Sequence, residues 1–180
     1  MIKPKKAGIF RQMQDLSKDQ VIKIMQKYEN DPQQLVAMLL DIQKASLKNY
    51  VDKQWAELAS NVLNMPLSKI FDVLTFYSMF STEPRGEYVI EICKSTPCLF
   101  AGGNNVVKWF EEAAGVLLGE TTADRKITLV HSSCFGACDI APAVKIGDDV
   151  FGNLTPEKVK LLVQYCREGN SEGLQSLCQN

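Results

Sequence analysis

Apolar residues recur at helical spacing through the first part of the chain. Ser17 and Gln20 form the pattern of a capping box, in which each side chain bonds the other residue's backbone N–H, and they predict a helix over Val21–Tyr28. Asp31 followed by Pro32 predicts the start of a second helix, because proline is favoured in the first helical turn. The apolar face of that helix is predicted to contain Leu35, Met38, Leu39 and Ile42.

Two further helices are predicted before residue 82. Asp52 is a candidate N-cap for a helix over Trp55–Leu63, and a second apolar stripe continues over Leu67–Phe80. With its short turn, this pair resembles a helix-turn-helix, but its second helix is mostly apolar and carries one lysine, Lys69, and one aspartate, Asp72. DNA recognition by such a motif requires side chains that contact bases and phosphates. We therefore interpret the pair as a surface that packs against protein.

After residue 82 the pattern changes to one of short strands and helices. The order predicts an α/β domain over residues 83–180 that follows a helical bundle over residues 1–82, so the fold class is α/β, or α+β for the whole chain. The predicted strands are Tyr88–Ile92, Lys126–His131, Ala143–Ile146 and Val150–Phe151, and the predicted helices are Asn104–Leu118, ended by Gly119, and Pro156–Arg167, ended by Gly169.

Charge and hydropathy exclude several classes of protein. The 180 residues include 20 basic and 21 acidic ones, for a net charge of −1, and neither half has the dense basic stripe that nucleic-acid binding requires. Residues 1–81 carry 11 basic and 8 acidic side chains, and residues 82–180 carry 9 and 13. No apolar run reaches the roughly 18 residues of a membrane span, and no secretory signal is recognisable. We expect a cytoplasmic protein without membrane insertion and without a nucleic-acid partner.

All six cysteines lie in the second half of the chain. Cys93 and Cys98 form one close pair and Cys134 and Cys138 a second, and clustered cysteines in an intracellular protein indicate metal or redox chemistry. Each pair follows a predicted strand. A crossover of this length normally gives parallel strands whose carboxyl ends share one edge of the sheet, so the four thiols are expected to meet there. Cys166, on a predicted helix, and Cys178, in a polar tail, are expected to be structural or incidental.

The spacers between the paired cysteines bear on which metal they bind. Structural zinc usually takes pairs separated by two residues, whereas the spacers here are four and three residues, which favours a 2Fe–2S cluster without excluding zinc. Gly102, Gly103 and Gly136 lie beside the cysteines, where they allow close backbone approach. A thioredoxin-type redox site is disfavoured because no Cys-x-x-Cys occurs. His131, the single histidine, cannot supply the two histidines of a Rieske centre.

Several segments together resemble the thioredoxin-like 2Fe–2S subunit of NADH dehydrogenases, which also occurs in NAD(P)-linked hydrogenases, formate dehydrogenases and electron-bifurcating complexes. The resemblance extends from about residue 10 to residue 168. The segments that carry it are Phe76-Tyr77-Ser78-Met79-Phe80, Pro84-Arg85-Gly86, Cys93-Lys94-Ser95-Thr96-Pro97-Cys98 with Gly102, and Cys134-Phe135-Gly136-Ala137-Cys138 with Ala141-Pro142.

The resemblance implies a function in electron transfer. It implies that Cys93, Cys98, Cys134 and Cys138 bind one 2Fe–2S cluster, and that the helical first half packs against partner subunits. The implied partners are a flavin- and NAD(P)-binding iron–sulfur subunit and a further iron–sulfur, hydrogenase or dehydrogenase subunit. FMN and NAD(P) would belong to a partner, because this chain has no glycine-rich phosphate-binding loop. The chain would then be an oxidoreductase subunit that is not catalytic alone.

Two positions depart from the family pattern. Phe135 stands where leucine is more usual, and Asp139 stands where glycine is more usual. An acidic side chain so near the cluster would disfavour the added negative charge of reduction, so Asp139 is expected to lower the reduction potential.

Two other classes of function remain open from the sequence. One is a zinc-stabilised module that docks protein or DNA, and the other is a thiol oxidoreductase in which one cysteine pair cycles with substrate thiols.

Overall fold

The computed structural model describes residues 16–178, which divide into two compact units at the boundary between Thr82 and Glu83. Within residues 16–82 the first unit consists of helices joined by short turns. They are α1 (Lys18–Gln26), α2 (Leu35–Ala45), which follows a 3-10 turn at Pro32–Gln34, α3 (Lys53–Leu63) and α4 (Leu67–Phe76).

Three side chains cap these helices as the sequence predicts. The Ser17 hydroxyl accepts a hydrogen bond from the Gln20 N–H at 3.3 Å, and the Gln20 side chain accepts one from the Ser17 N–H at 2.9 Å. Asp31 and Asp52 each accept a hydrogen bond at 2.9 Å from the backbone N–H two residues further on. Helix starts are predictable in this unit because short polar side chains satisfy N–H groups that have no partner within the helix.

The apolar stripes of the four helices face one another and form the core of the first unit. Burial of this surface is the main favourable term in forming the bundle. Its most deeply buried side chains are Val21, Met25, Met38, Leu39, Ile42, Val51, Ala56, Ala59 and Ile70.

Helix α4 is shorter than predicted. Its apolar stripe predicts a helix that continues to Phe80, but the helix ends at Phe76. The buried Gln43 side chain explains the difference, because its amide donates to the Met79 carbonyl and accepts from the Ser81 N–H, both at 2.8 Å. This bridge from α2 holds the chain in a turn, and Phe80 then enters the core.

The second unit is an α/β fold, which confirms the predicted fold class. Its sheet has the strand order β2-β1-β3-β4. Strands β1 and β2 are parallel, and β3 is antiparallel to both β1 and β4. The elements are β1 (Tyr88–Cys93), α5 (Thr96–Phe100), α6 (Gly103–Ala114), β2 (Ile127–Ser132), β3 (Val144–Ile146), β4 (Asp149–Phe151), α7 (Pro156–Glu168) and α8 (Ser171–Cys178).

Helices α6 and α7 pack against each other and against the sheet. The core between these layers is apolar and is separate from a small group of buried residues around the first two cysteines. Its fully buried members include Ile90, Val106, Phe110, Ile127, Leu129, Val144, Val159, Leu162 and Cys166.

One boundary and two short helices in the second unit differ from prediction. Helix α6 ends at Ala114 and not at Leu118, because Gly115 adopts the left-handed conformation (φ +72°) that closes a helix. The five-residue helix α5, which contains Cys98, has no counterpart in the prediction because it is too short to show a periodic pattern. The segment before Cys178 was predicted to be a polar tail, but it forms helix α8, which packs against β4 and α7.

Candidate metal centre

The ends of the two parallel strands bring the cysteine pairs to one edge of the sheet. Cys93, the last residue of β1, lies opposite Ser132, the last residue of β2, in the parallel register. The Lys94 N–H donates to the Ser132 carbonyl at 3.0 Å. The segments that follow β1 and β2 therefore leave the sheet side by side. Cys98 follows Cys93 in α5, and Cys134 follows Ser132 by two residues. The predicted parallel crossover is therefore confirmed.

Cys93 and Cys98 form the buried side of the site. Each is 3% exposed, and together with Ala143 they make up a small buried group. Burial raises the pKa of the Cys98 thiol above its usual value, and the neighbouring Cys93 and Cys138 thiols raise that pKa further. A hydrogen bond from the Ala143 backbone opposes this effect by stabilising the thiolate. No pattern around Cys98 predicts this role for Ala143, because Ala143 lies 45 residues further along the chain, just before strand β3.

Cys134 and Cys138 form the exposed side. Their Sγ atoms are 3.5 Å apart, and the Gly136 N–H donates to the Cys134 Sγ at 3.4 Å. The Gly136 hydrogen bond is the main reason that the pKa of Cys134 is lowered, and Cys138, Cys93 and Ser95 also contribute. The proximity of Cys134 raises the pKa of Cys138. Within this pair, Cys134 therefore loses its proton more readily than Cys138.

The two pairs also interact with each other. Cys93 contributes to the lowered pKa of Cys134, and Cys138 contributes to the raised pKa of Cys98. The two pairs therefore lie near each other at the carboxyl edge of β1 and β2.

The donor set suits a cluster of two irons. Within residues 16–178, no three His, Cys, Asp or Glu side chains lie close enough together to hold one metal ion. A 2Fe–2S cluster takes two thiolates on each of its two irons. The Cys134–Cys138 separation of 3.5 Å is close to the roughly 3.8 Å between two sulfurs bound tetrahedrally at about 2.3 Å from one metal. All four donors are thiols, the soft ligands that iron–sulfur clusters use.

Glycines beside the cysteines act in two different ways. A Cβ atom at Gly103 would lie 2.8 Å from the Cys98 carbonyl oxygen, so only glycine lets α6 begin this close to the α5 backbone. Gly102 (φ +92°) and Gly136 (φ +88°) instead have backbone conformations that favour glycine, and neither is crowded. The sequence suggests close backbone approach at Gly102, Gly103 and Gly136. Of these three, only Gly103 has a neighbouring backbone too close for a side chain.

The remaining candidates lie outside this group. Cys166 is fully buried in α7, and burial raises its pKa to about 12, so its thiol stays protonated at neutral pH. Cys178 is exposed at the end of α8 and donates to the Val150 carbonyl at 3.3 Å. His131 is an exposed residue of β2. Asp139 is exposed in the 3-10 turn Cys138–Ile140, where its charge helps to raise the pKa of Cys138.

The helix pair of the first unit leaves apolar side chains at its surface. Phe76 at the end of α4 is 80% exposed, and Tyr77 and Met79 beside it are 39% and 42% exposed. The rings of Phe76 and Tyr77 contact edge to face, with centroids 5.0 Å apart. Among residues 16–178, no helix is long and apolar enough to cross a membrane.

Comparison with known proteins agrees with the site's chemistry. Residues 21–167 match the family described as thioredoxin-like 2Fe-2S ferredoxin. An NADH-quinone oxidoreductase subunit of Rickettsia felis is 37% identical over 147 residues, which cover 81% of this chain and 88% of the relative. An NADP-reducing hydrogenase subunit of Solidesulfovibrio fructosivorans is 31% identical over 144 residues, which cover 79% and 84% of the two chains.

A solved structure shares the fold. The crystal structure of an NAD+-reducing NiFe-hydrogenase in the air-oxidised state aligns with a TM-score of 0.70 at 21% identity. The alignment covers 81% of this chain and 25% of that longer one. With the family match and the curated relatives, the resemblance drawn from the sequence is confirmed: this chain belongs to the thioredoxin-like 2Fe-2S ferredoxin family.

Proposed function

We propose that this protein binds one 2Fe–2S cluster through Cys93, Cys98, Cys134 and Cys138 and passes single electrons within a multisubunit oxidoreductase. The observation that supports this most directly is the meeting of two cysteine pairs at one sheet edge, where the Cys134 and Cys138 Sγ atoms are 3.5 Å apart. A bound 2Fe–2S cluster supplies one-electron redox chemistry.

The protein's own groups set the conditions for that chemistry. The N–H of Gly136 and the backbone of Ala143 hydrogen-bond the sulfurs of Cys134 and Cys98 and stabilise negative charge there. Cys93 and Cys98 exclude water on one side of the site, and Cys134 and Cys138 face solvent on the other. Electrons would enter and leave most directly through the exposed side.

The immediate partner is a subunit that carries FMN and NAD(P). The curated relatives are named as subunits of an NADH-quinone oxidoreductase and of an NADP-reducing hydrogenase, which supports this assignment. The chain itself lacks a glycine-rich nucleotide-binding loop. A further iron–sulfur, hydrogenase or dehydrogenase subunit would complete a complex in the cytoplasm.

Metal analysis tests the cluster. Anaerobically purified protein should contain two irons and two acid-labile sulfides per chain and give an S = 1/2 EPR signal after reduction with dithionite. Cys138→Ala should lose both, and Cys178→Ala, which alters an exposed cysteine outside the site, should keep both. One zinc per chain without iron or sulfide would favour a zinc-stabilised docking module. Thiol–disulfide activity that survives in metal-free protein would favour a thiol oxidoreductase.

The first unit is proposed to dock the partner through the apolar surface formed by Phe76, Tyr77 and Met79. Phe76→Ser should weaken binding to the purified flavin-containing subunit in a pull-down and leave the iron content unchanged. Leu117→Ser changes another exposed apolar side chain, 62% exposed in the second unit, and is the matched control. Equal binding by both variants would show that this surface is not part of the interface with the partner.

A further inference from the structure

Gly152 fills a position where no larger residue fits. A Cβ atom added there would overlap the Cβ, the Cγ1 and the carbonyl oxygen of Ile140. The backbone of Gly152 lies outside the left-handed region, so its conformation does not require glycine. Space explains the residue, because it lets the chain after β4 pack directly against the segment that contains Ile140.

The same contact is reinforced by a hydrogen bond. The N–H of Asn153 donates to the Ile140 carbonyl at 2.7 Å. Ile140 is the last residue of the 3-10 turn that begins at Cys138. The backbone at residues 152–153 therefore holds one end of the turn whose other end carries a thiol.

We propose that Gly152 is a positioning residue for Cys138, an inference that rests on the proposed role of Cys138 as a cluster ligand. Two of the three atoms that a new side chain would overlap are a Cβ and a carbonyl oxygen, which cannot rotate away as the end of a flexible side chain can. Ile140 would have to move with its backbone, and Cys138 is only two residues away. Ligands must be held to within roughly half an ångström for a site to keep its properties, so such a shift alters the site.

The test compares alanine substitutions at two glycines, one crowded by Ile140 near Cys138 and one crowded by a residue of α7. Gly152→Ala should change the EPR g-values and the midpoint potential of the reduced full-length protein and should accelerate loss of iron to a chelator about 10-fold. Gly173→Ala is the matched control, since its Cβ would lie 2.9 Å from ring atoms of Tyr165 in α7. That variant should lose stability and keep the g-values and the potential of the wild type.

The possible results separate this inference from the proposed function. If wild-type protein shows its cluster and Gly152→Ala keeps the wild-type g-values, potential and rate of iron loss, the positioning role is overturned and the function stands. Wild-type protein without iron and sulfide would overturn the function itself.

A double variant covers the case in which Gly152→Ala does not fold. Gly152→Ala with Ile140→Gly removes the overlaps with the Cβ and the Cγ1 but keeps the one with the carbonyl oxygen, so it should fold and still show a potential shifted from that of Ile140→Gly alone. Equal potentials in Ile140→Gly and the double variant would count against the inference.

Discussion

The α-carbon of Gly103 faces the Cys98 carbonyl oxygen so closely that an added Cβ would lie 2.8 Å from it. Gly103 is the first residue of α6, and Cys98 lies within α5. The helix that packs against the sheet is thus joined to a candidate ligand by direct backbone contact.

Gly103→Ala is expected to lower the free energy of unfolding by about 1–3 kcal/mol through overpacking and to reduce the iron bound per chain. The measurement is urea denaturation together with an iron assay. Gly119→Ala provides the comparison, because its position (φ +93°) is strained for alanine but has nothing within 4 Å of the new Cβ. Full iron content in both variants would show that the Gly103 contact does not affect the site.

Asp139→Asn is expected to raise the midpoint potential of the bound cluster. The Asp139 carboxylate lies beside Cys138 and already raises the pKa of that thiol, so it disfavours negative charge there. Reduction adds negative charge, and removal of the carboxylate makes it easier. A potentiometric titration followed by EPR measures the change, and an unchanged potential rejects the role of Asp139.

Cys166 is expected to make the stability of the protein fall at alkaline pH. Its pKa in the folded protein is about 12, against 9.0 for an ordinary thiol, so the unfolded chain loses this proton first as pH rises. The contribution of the protonated Cys166 thiol to the free energy of unfolding is complete below pH 9 and is lost as the pH rises towards 12. Thermal melts of wild type and Cys166→Ala should therefore converge over this range. Parallel curves at all pH values would contradict the assignment.

Asp41 is expected to contribute to stability above its unfolded pKa and to lose this contribution in acid. Its carboxylate accepts hydrogen bonds from Lys27 at 2.8 Å and from Tyr28 at 2.7 Å, which lower its pKa in the folded state. Since the group is partly exposed, Asp41→Asn should cost only about 0.5–1 kcal/mol near pH 7 and less as pH falls below 4. Chemical denaturation of wild type and Asp41→Asn across this pH range measures the difference in their free energies of unfolding. Glu57→Gln, which affects an exposed pair at 3.7 Å, should change stability by under about 0.5 kcal/mol.

Gln43→Ala is expected to destabilise the first unit by about 2–3 kcal/mol. The substitution leaves the Met79 carbonyl and the Ser81 N–H without their 2.8 Å partners in a partly buried turn. Gln26→Ala, at an exposed position of α1, should change stability by less than about 0.5 kcal/mol. Chemical denaturation compares the two, and equal small effects would show that the turn after α4 does not depend on Gln43.

Much of the fold was predictable because its signals are local. The capping box at Ser17 and Gln20 uses groups three residues apart, and the β1 and β2 strands are short apolar runs that end next to cysteines. The end of α4 was not predictable in this way. Gln43 bonds the Met79 carbonyl 36 residues further along the chain, so no pattern around Phe76 contains the information.

By itself, the sequence determined the chemistry of this protein: four cysteines in two pairs, each after a strand, on a chain of the thioredoxin-like 2Fe-2S ferredoxin family. The tertiary structure decided which cysteines are buried, which backbone groups bond their sulfurs, and which glycines lie too close to a neighbour for a side chain. Ala143, just before β3, hydrogen-bonds Cys98, and Gly152, just after β4, packs against Ile140. Ligand identity depends on residue type and spacing, whereas burial and close contact depend on segments that only folding brings together.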